Sequence, residues 1–249
     1  MMGNHMKEAS TTYSRFFSLT LLSGVAGLAG IVAILVTSLA NEHQEAEKHA
    51  QMEVENISRL LEDHTLVTVQ KIDLMLRDLQ GHIHPNDMRL AREANSTRAR
   101  ELHALLKSHL ETVPEISVLH LINAQGEQIH SSMAPLPHID ITDRYHFQRP
   151  RDDPTAGLVI SPPIISRATG KWTFALARRL NFEDGSFAGV ATAVLNMEHF
   201  QNIFRSLDLG SHGSVALHDR EFRLAARFPP SEKKYGQNND WACRQKLSE

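Results

Sequence analysis

The sequence predicts an α+β fold, an antiparallel sheet flanked by helices, preceded by one transmembrane helix and a long amphipathic helix. Three observations carry this expectation. Short apolar runs at 158–165, 172–180 and 187–195 are separated by Ala168-Thr169-Gly170-Lys171 and Glu183-Asp184-Gly185-Ser186. Runs rich in Val, Ile, Phe and Thr fit strands, and each Gly stands where a tight antiparallel turn needs positive φ. Upstream, residues 41–80 contain neither Pro nor Gly and place Val54, Ile57, Leu61, Thr68, Ile72, Met75 and Leu79 at helical spacing. Residues 16–40 carry no charge at all.

The elements follow in chain order. As a helix, 16–40 rises roughly 37 Å, against about 30 Å of bilayer hydrocarbon. Lys7 and Arg15 precede it while Glu42, Glu45 and Glu47 follow, so the positive-inside rule places residues 1–15 in the cytoplasm and the rest of the chain outside. A cleaved signal peptide is the competing reading, because Ser38-Leu39-Ala40 has the small-x-small form of a cleavage site. The apolar stretch is long for a secretory core, which favours the anchor.

Residues 41–112 hold the long helix and a second one. Gly81 and Pro85 end the first, since Pro removes a backbone donor. Part of its stripe packs on the sheet domain and part is open to a second copy of the chain. The second helix is expected over 96–110, capped by Ser96 or Thr97, with Leu102, Leu105, Leu106 and Leu110 on one face. Val113-Pro114 breaks it.

Residues 113–230 form the sheet domain. Strands are expected over 115–122 and 128–132 around the turn Asn123-Ala124-Gln125-Gly126, and 133–141 with its two prolines reads as a loop. A short charged helix opens at Asp143, and the three apolar runs follow as strands. A helix over 197–207 and a final strand pair over 213–218 and 222–228 complete the domain. From Ser231 to the end no period persists, and 231–249 is expected to be an atypical, truncated tail.

Composition narrows the function. Lys and Arg total 26 against 29 Asp and Glu, which gives nucleic acid no attracting field. Cys243 stands alone, so the fold rests on its apolar core without an internal disulfide. The 15 histidines include the His82-Ile83-His84 run followed by Asp87, and His212 and His218. That spacing could suit a metal, but exposed polar roles are commoner and neither a metal nor a cofactor is expected. Phosphate-loop, zinc-protease and nucleophile-elbow motifs are absent, so catalysis by this polypeptide is not expected.

In combination, Asp143-Arg144-Tyr145-His146-Phe147, ISPPIISRATGKW, ARRLNFEDGSFAGV and SLDLGSHGSVALH closely resemble the first, membrane-distal PAS-like lobe of double-Cache sensor domains. These occur in bacterial diguanylate cyclases, histidine kinases and chemoreceptors, and the resemblance covers roughly residues 43–236. It implies an extracytoplasmic small-molecule sensor on a single-pass anchor in the cell inner membrane, with the lobe in the periplasm and a homodimer through the long helix. The output domain that should follow such a lobe is missing, which suggests a fragment or a frameshift near Asn238; the Gly-Gly-Asp/Glu-Glu-Phe signature of diguanylate cyclases is likewise absent. The alternative is a non-sensing, membrane-anchored dimerisation module with a vestigial pocket; a secreted binding protein released after Ala40 is a third.

In double-Cache receptors for amino acids, an Arg before two aromatics holds the carboxylate, and a Tyr-x-Asp before the Thr-Gly turn holds the amine. By that resemblance Arg144 matches the Arg, and His146 and Phe147 stand at the aromatic pair. Ile164 and Ser166 occupy the Tyr and Asp places, so the ammonium anchor is lost and an anion or carboxylate is the expected ligand. The candidate ligand-binding residues are Arg144, His146, Phe147, Ser166, Arg167, Lys171 and Trp172. For Arg144 the competing role is a structural salt bridge to Asp140, Asp143 or Asp152, and for Trp172, which shares a strand face with Phe174, a place in the core. Arg178 and Arg179 are adjacent on a strand, so at most one can face a pocket.

Overall fold

The computed structural model describes residues 3–89, 96–133, 139–207, 209–210, 213–231 and 235–237, with the side chains of all but 3–26, 29, 31 and 33. The chain divides into two compact units, Met1–Thr65 and Leu66–Glu249. In the first, helix α1 (Gly3–His82) exposes Val36, Leu39, Met52, Val54 and Leu60. Among the described residues no helix is long and apolar enough to cross a membrane. Most side chains of the expected span, 16–40, lie outside the described residues.

In the second unit, the end of α1 buries Thr68, Ile72, Met75 and Leu79 of the stripe that its spacing predicts, and Leu76 beside them. The helix ends one residue beyond Gly81, and Pro85 opens a short 3₁₀ turn, Pro85–Arg89. Helix α2 (Thr97–Thr112) starts where Ser96 caps it: the serine hydroxyl accepts from Ala99 N at 3.1 Å. Leu102 and Leu106 of α2 are fully buried, each contributing about 2 kcal/mol of apolar transfer.

A six-stranded sheet follows, built from β1 (Ile116–Asn123), β2 (Gln128–Ser131), β3 (Val159–Ile160), β4 (Ile164–Ile165), β5 (Trp172–Asn181) and β6 (Phe187–Asn196). The order is β2-β1-β6-β5-β3, with β4 also on β5, and every pairing is antiparallel. Gly170 and Gly185 have φ of 69° and 80°, as their turns require. Helix α3 (Tyr145–Asp152) precedes β3, and α4 (Met197–Arg205) follows β6. A separate pair, β7 (Val215–His218) and β8 (Leu224–Phe228), closes the described fold.

The run 158–165 departs from the single strand expected of it. Pro162 and Pro163 have no N–H to give a ladder, so pairing breaks into the two-residue strands β3 and β4. Ser161 bridges the gap: its N–H donates to Ala175 O at 2.8 Å, and its hydroxyl accepts from Ala175 N at 2.9 Å. Part of the expected tail packs on the domain. Tyr235 is buried, stacking edge-on to Trp172 at 5.8 Å, and Leu224 and residues 236–237 exchange backbone hydrogen bonds. The remainder of the expected tail beyond 237, with Asn238 and Cys243, lies outside the described residues, as does His212.

The sheet's two faces differ. By strand alternation Phe174, Leu176 and Arg178 share one face. There Arg178 Nε meets Asp73 Oδ1 of α1 at 2.6 Å, with both side chains mostly buried. Gln80 adds a bond from Nε2 to Arg179 O at 2.6 Å. The opposite face carries α3, whose Phe147 packs with Ile122, Ile141, Ala177 and Val190.

Candidate ligand cavity

The face under α3 is recessed because its central strands carry short side chains. Thr192 of β6 lies between His120 of β1 and Ala177 of β5 in the ladder, and Ala175 pairs with Val194. Alternation brings His120, Ile122, Thr173, Ala175, Thr192 and Val194 to this one face. Gln128 of β2 adds a longer arm. The rim comes from two loops, with Ile139, Ile141 and Arg144 ahead of α3, and Ser166, Arg167 and Ala168 after β4. Counting open solvent at the mouth they enclose about 490 Å³, of which about 50 Å³ can hold the centre of a water-sized sphere, so the recess is narrow and suits only a small ligand.

Four buried polar atoms of this lining have no hydrogen-bond partner: His120 Nδ1, Gln128 Nε2, His146 Nδ1 and Thr192 Oγ1. An unmet buried polar atom costs about 1–3 kcal/mol, so a cluster of four in one recess calls for a reason. Burial pushes the imidazoles of both His120 and His146 down to about 4, and for His146 the nearby Arg144 charge adds to this. Both rings are therefore neutral at physiological pH. No Asp or Glu is found among the described residues that line the recess.

Arg144 sits at the N-cap of α3, where its carbonyl accepts from the Phe147 and Gln148 N–H groups. Its guanidinium makes one long bond among the described residues, Nη2 to Ile165 O at 3.4 Å. The carboxylates weighed as its structural partners are engaged elsewhere. Asp143 binds Arg167, Asp152 binds Arg151, and Asp140 Oδ1 accepts from Thr142 N.

Of the seven residues singled out from sequence, the cavity brings together Arg144, His146, Ser166 and Arg167. Ser166 also holds its own turn, its hydroxyl accepting from Ala168 N and Thr169 N. Phe147, Lys171 and Trp172 lie outside the lining. Phe147 is fully buried and meets Phe187 edge-on at 5.6 Å, Lys171 pairs with Glu198 at 3.0 Å, and Trp172 packs on Tyr235. Neither Arg178 nor Arg179 lines it. Sequence reasoning missed His120, Gln128 and Thr192. A signal existed for two of them, since His120 interrupts Val118-Leu119-His120-Leu121-Ile122 and Thr192 interrupts the apolar run of β6.

The histidine run ahead of the 3₁₀ turn has other partners. His82 Nδ1 meets Asp78 O at 2.9 Å, while the Asp87 carboxylate accepts from His84 N and Arg98. Among the described residues no group of three or more His, Cys, Asp or Glu side chains is arranged to hold a metal ion.

No protein-family model matches the chain, and no curated protein matches it. Solved structures do. The extracellular domain of the candidate histidine kinase rpHK1S-Z16 superposes with a TM-score of 0.63 at 29% identity, covering 76% of this chain and 75% of that one. The sensor domain of the Vibrio cholerae histidine kinase DctB gives 0.54 at 13% identity, over 80% of this chain and 69% of that one. An extracellular ligand-binding receptor from Desulfohalobium retbaense gives 0.51 at 16% identity over 74% of this chain, which spans 33% of that receptor. The fold is thus that of the Cache-like, PAS-like extracellular sensor lobes of membrane receptors. The described residues after the N-terminal part of α1 share that fold.

Proposed function

We propose that this chain is the periplasmic small-molecule sensor lobe of a bacterial inner-membrane signalling receptor of the histidine kinase, chemoreceptor or diguanylate cyclase type. It binds and does not catalyse. The observation that carries this reading is the recess on the sheet, lined by residues with four unpartnered buried polar atoms, and at its rim a guanidinium that makes one long hydrogen bond among the described residues, to Ile165 O. The ligand is a small anion, a carboxylate above all. Arg144 offers a planar fork for two carboxylate oxygens, Arg167 closes the rim while paired with Asp143, and the described lining lacks the carboxylate that an ammonium needs. His146 and Ser166 complete the polar wall, and Phe147 fixes the helix that carries His146.

The uncharged stretch 16–40 supports a single-pass anchor. Exposed Met52, Val54 and Leu60 on α1 support a homodimer through that helix. A ligand shifts such a receptor only through its differential affinity for two arrangements.

Thermal denaturation of the full chain in detergent micelles tests the proposal. Small carboxylates such as acetate, propionate and lactate should raise the midpoint, methylamine should not, and Arg144→Ala should abolish the response. Stabilisation by native-state ligands grows as RT ln(1 + [L]/Kd), reaching about 2.7 kcal/mol at a hundred times Kd. An equal response to carboxylates in the Arg144→Ala variant would remove the anchor, and no response to any small acid would remove the carboxylate assignment.

A further inference from the structure

The floor of the cavity is built differently from its rim, and the difference specifies the other end of the ligand. His120, Gln128, His146 and Thr192 come from β1, β2, α3 and β6, and each is less than a tenth exposed. Their unpartnered atoms are His120 Nδ1, Gln128 Nε2, His146 Nδ1 and Thr192 Oγ1. The amide nitrogen is a donor, the hydroxyl both gives and accepts, and each imidazole nitrogen does one or the other according to its tautomer. Around them stand the apolar side chains of Ile122, Ala175 and Val194, and Thr173, whose hydroxyl donates to Leu195 O at 2.7 Å. The charged groups that bear on the His146 ring are Arg144 and Asp143, both on the rim side, whereas burial alone acts on His120. No full charge lies at the floor among the described residues.

A buried anionic group placed on neutral dipoles alone is costly, whereas a neutral oxygen function is matched by mixed donors and acceptors. We infer that these four residues form a second anchoring point for a hydroxyl or carbonyl oxygen, so that the ligand is a small hydroxy- or oxo-carboxylic acid. Its carboxylate lies at Arg144 and its neutral oxygen points at the sheet. The inference rests on the carboxylate-sensing reading above and sharpens it. A site whose buried polar atoms await a partner also discriminates strongly against an analogue that lacks the oxygen, because that analogue leaves them unpaired.

The test compares acids matched in size by isothermal titration of the full chain in detergent micelles: propionate, lactate, pyruvate and malonate. Lactate or pyruvate should bind at least tenfold more tightly than propionate, and malonate should show no advantage over either. Thr192→Val and Gln128→Leu should each bring the ratio of lactate to propionate affinity down toward one. Arg144→Ala should weaken all four acids together.

Equal affinity for propionate, lactate and pyruvate would overturn the floor assignment and leave the carboxylate reading standing. A preference for malonate would overturn the neutral floor. Binding of none of the four would overturn both readings. The comparison among ligands on the unaltered protein decides the matter even if one variant fails to fold. A preference that survives both floor substitutions would show that the discriminating contacts lie elsewhere.

Discussion

Arg167 and Asp143 are joined by two parallel hydrogen bonds, Nη1 to Oδ1 at 2.7 Å and Nη2 to Oδ2 at 2.8 Å. The pair ties the turn after β4 to the loop ahead of α3, the two segments that make the cavity rim. The guanidinium holds the Asp143 carboxyl below the usual carboxylate range. Both side chains are well exposed, and exposed pairs add little to global stability. The pair therefore acts as a local latch, and Asp143→Asn should leave the denaturation midpoint nearly unchanged while speeding amide exchange at 140–144 and 166–168. Hydrogen exchange followed by mass spectrometry reads both quantities. Unaltered protection in those two segments would mean that the rim is held by its backbone alone.

Asp87 and Arg98 make a pair of a different kind. The carboxylate is buried, accepting from Arg98 Nε at 2.9 Å, Arg98 Nη2 at 2.7 Å and His84 N at 2.8 Å. Burial alone would push its titration up; the hydrogen bonds from Arg98 and His84 N outweigh that and bring it below the ordinary value. A carboxyl depressed in the folded state stabilises the protein above its unfolded pKa, and this contribution is lost as pH falls through the folded value. Asp87→Asn should cost about 2 kcal/mol at pH 7. The gap between variant and wild type should then narrow below about pH 4, where the unfolded-state carboxyl protonates. Urea denaturation across pH 3 to 8 measures this, and a constant gap would show that the charge contributes nothing.

The strands around these pairs were largely legible in the sequence because burial on both faces of the central sheet makes short continuous apolar runs, and because Gly170 and Gly185 mark turns that demand positive φ. The Ser96 cap was legible for a similarly local reason. What stayed hidden was set by distant partners. Leu76 falls one residue from the expected stripe yet is fully buried, because the sheet beneath α1 is wider than one line of side chains. His120 and Thr192 look like lapses in apolar strands until the ladder sets them opposite one another. Lys171 and Trp172, adjacent to the turn residues that do reach the cavity, point instead to Glu198 and Tyr235, a choice that strand twist and loop path make and spacing cannot reveal.

Thr192 itself offers a stability test separate from ligand affinity. Its hydroxyl is buried between β1 and β5 without a partner, so the ligand-free protein carries the desolvation cost. Valine has the same shape and a high strand preference. Thr192→Val should stabilise the ligand-free chain by about 1 kcal/mol, the lower end of the cost of an unmet buried polar group. Chemical denaturation without ligand gives the value. A loss of stability would show that the hydroxyl is satisfied in solution.

Gly189 controls how closely β6 can approach β1. Its φ is 143°, and a Cβ built there would lie 2.0 Å from Ile122 O and 3.0 Å from Asn123 Cα. Both of those atoms are backbone and have no rotamer to escape into. Gly185, in the turn just before β6, has φ of 80° with open space around it. The two positions therefore separate strain from collision. Gly185→Ala should cost about 1 kcal/mol, from the left-handed backbone alone. Gly189→Ala should cost at least about 3 kcal/mol, since the ladder must also move apart at Ile122, a residue of the cavity wall. Urea denaturation of the two variants side by side gives both numbers. Equal costs would mean that β1 and β6 have slack at this point, and the depth of the recess would then not be fixed by their contact.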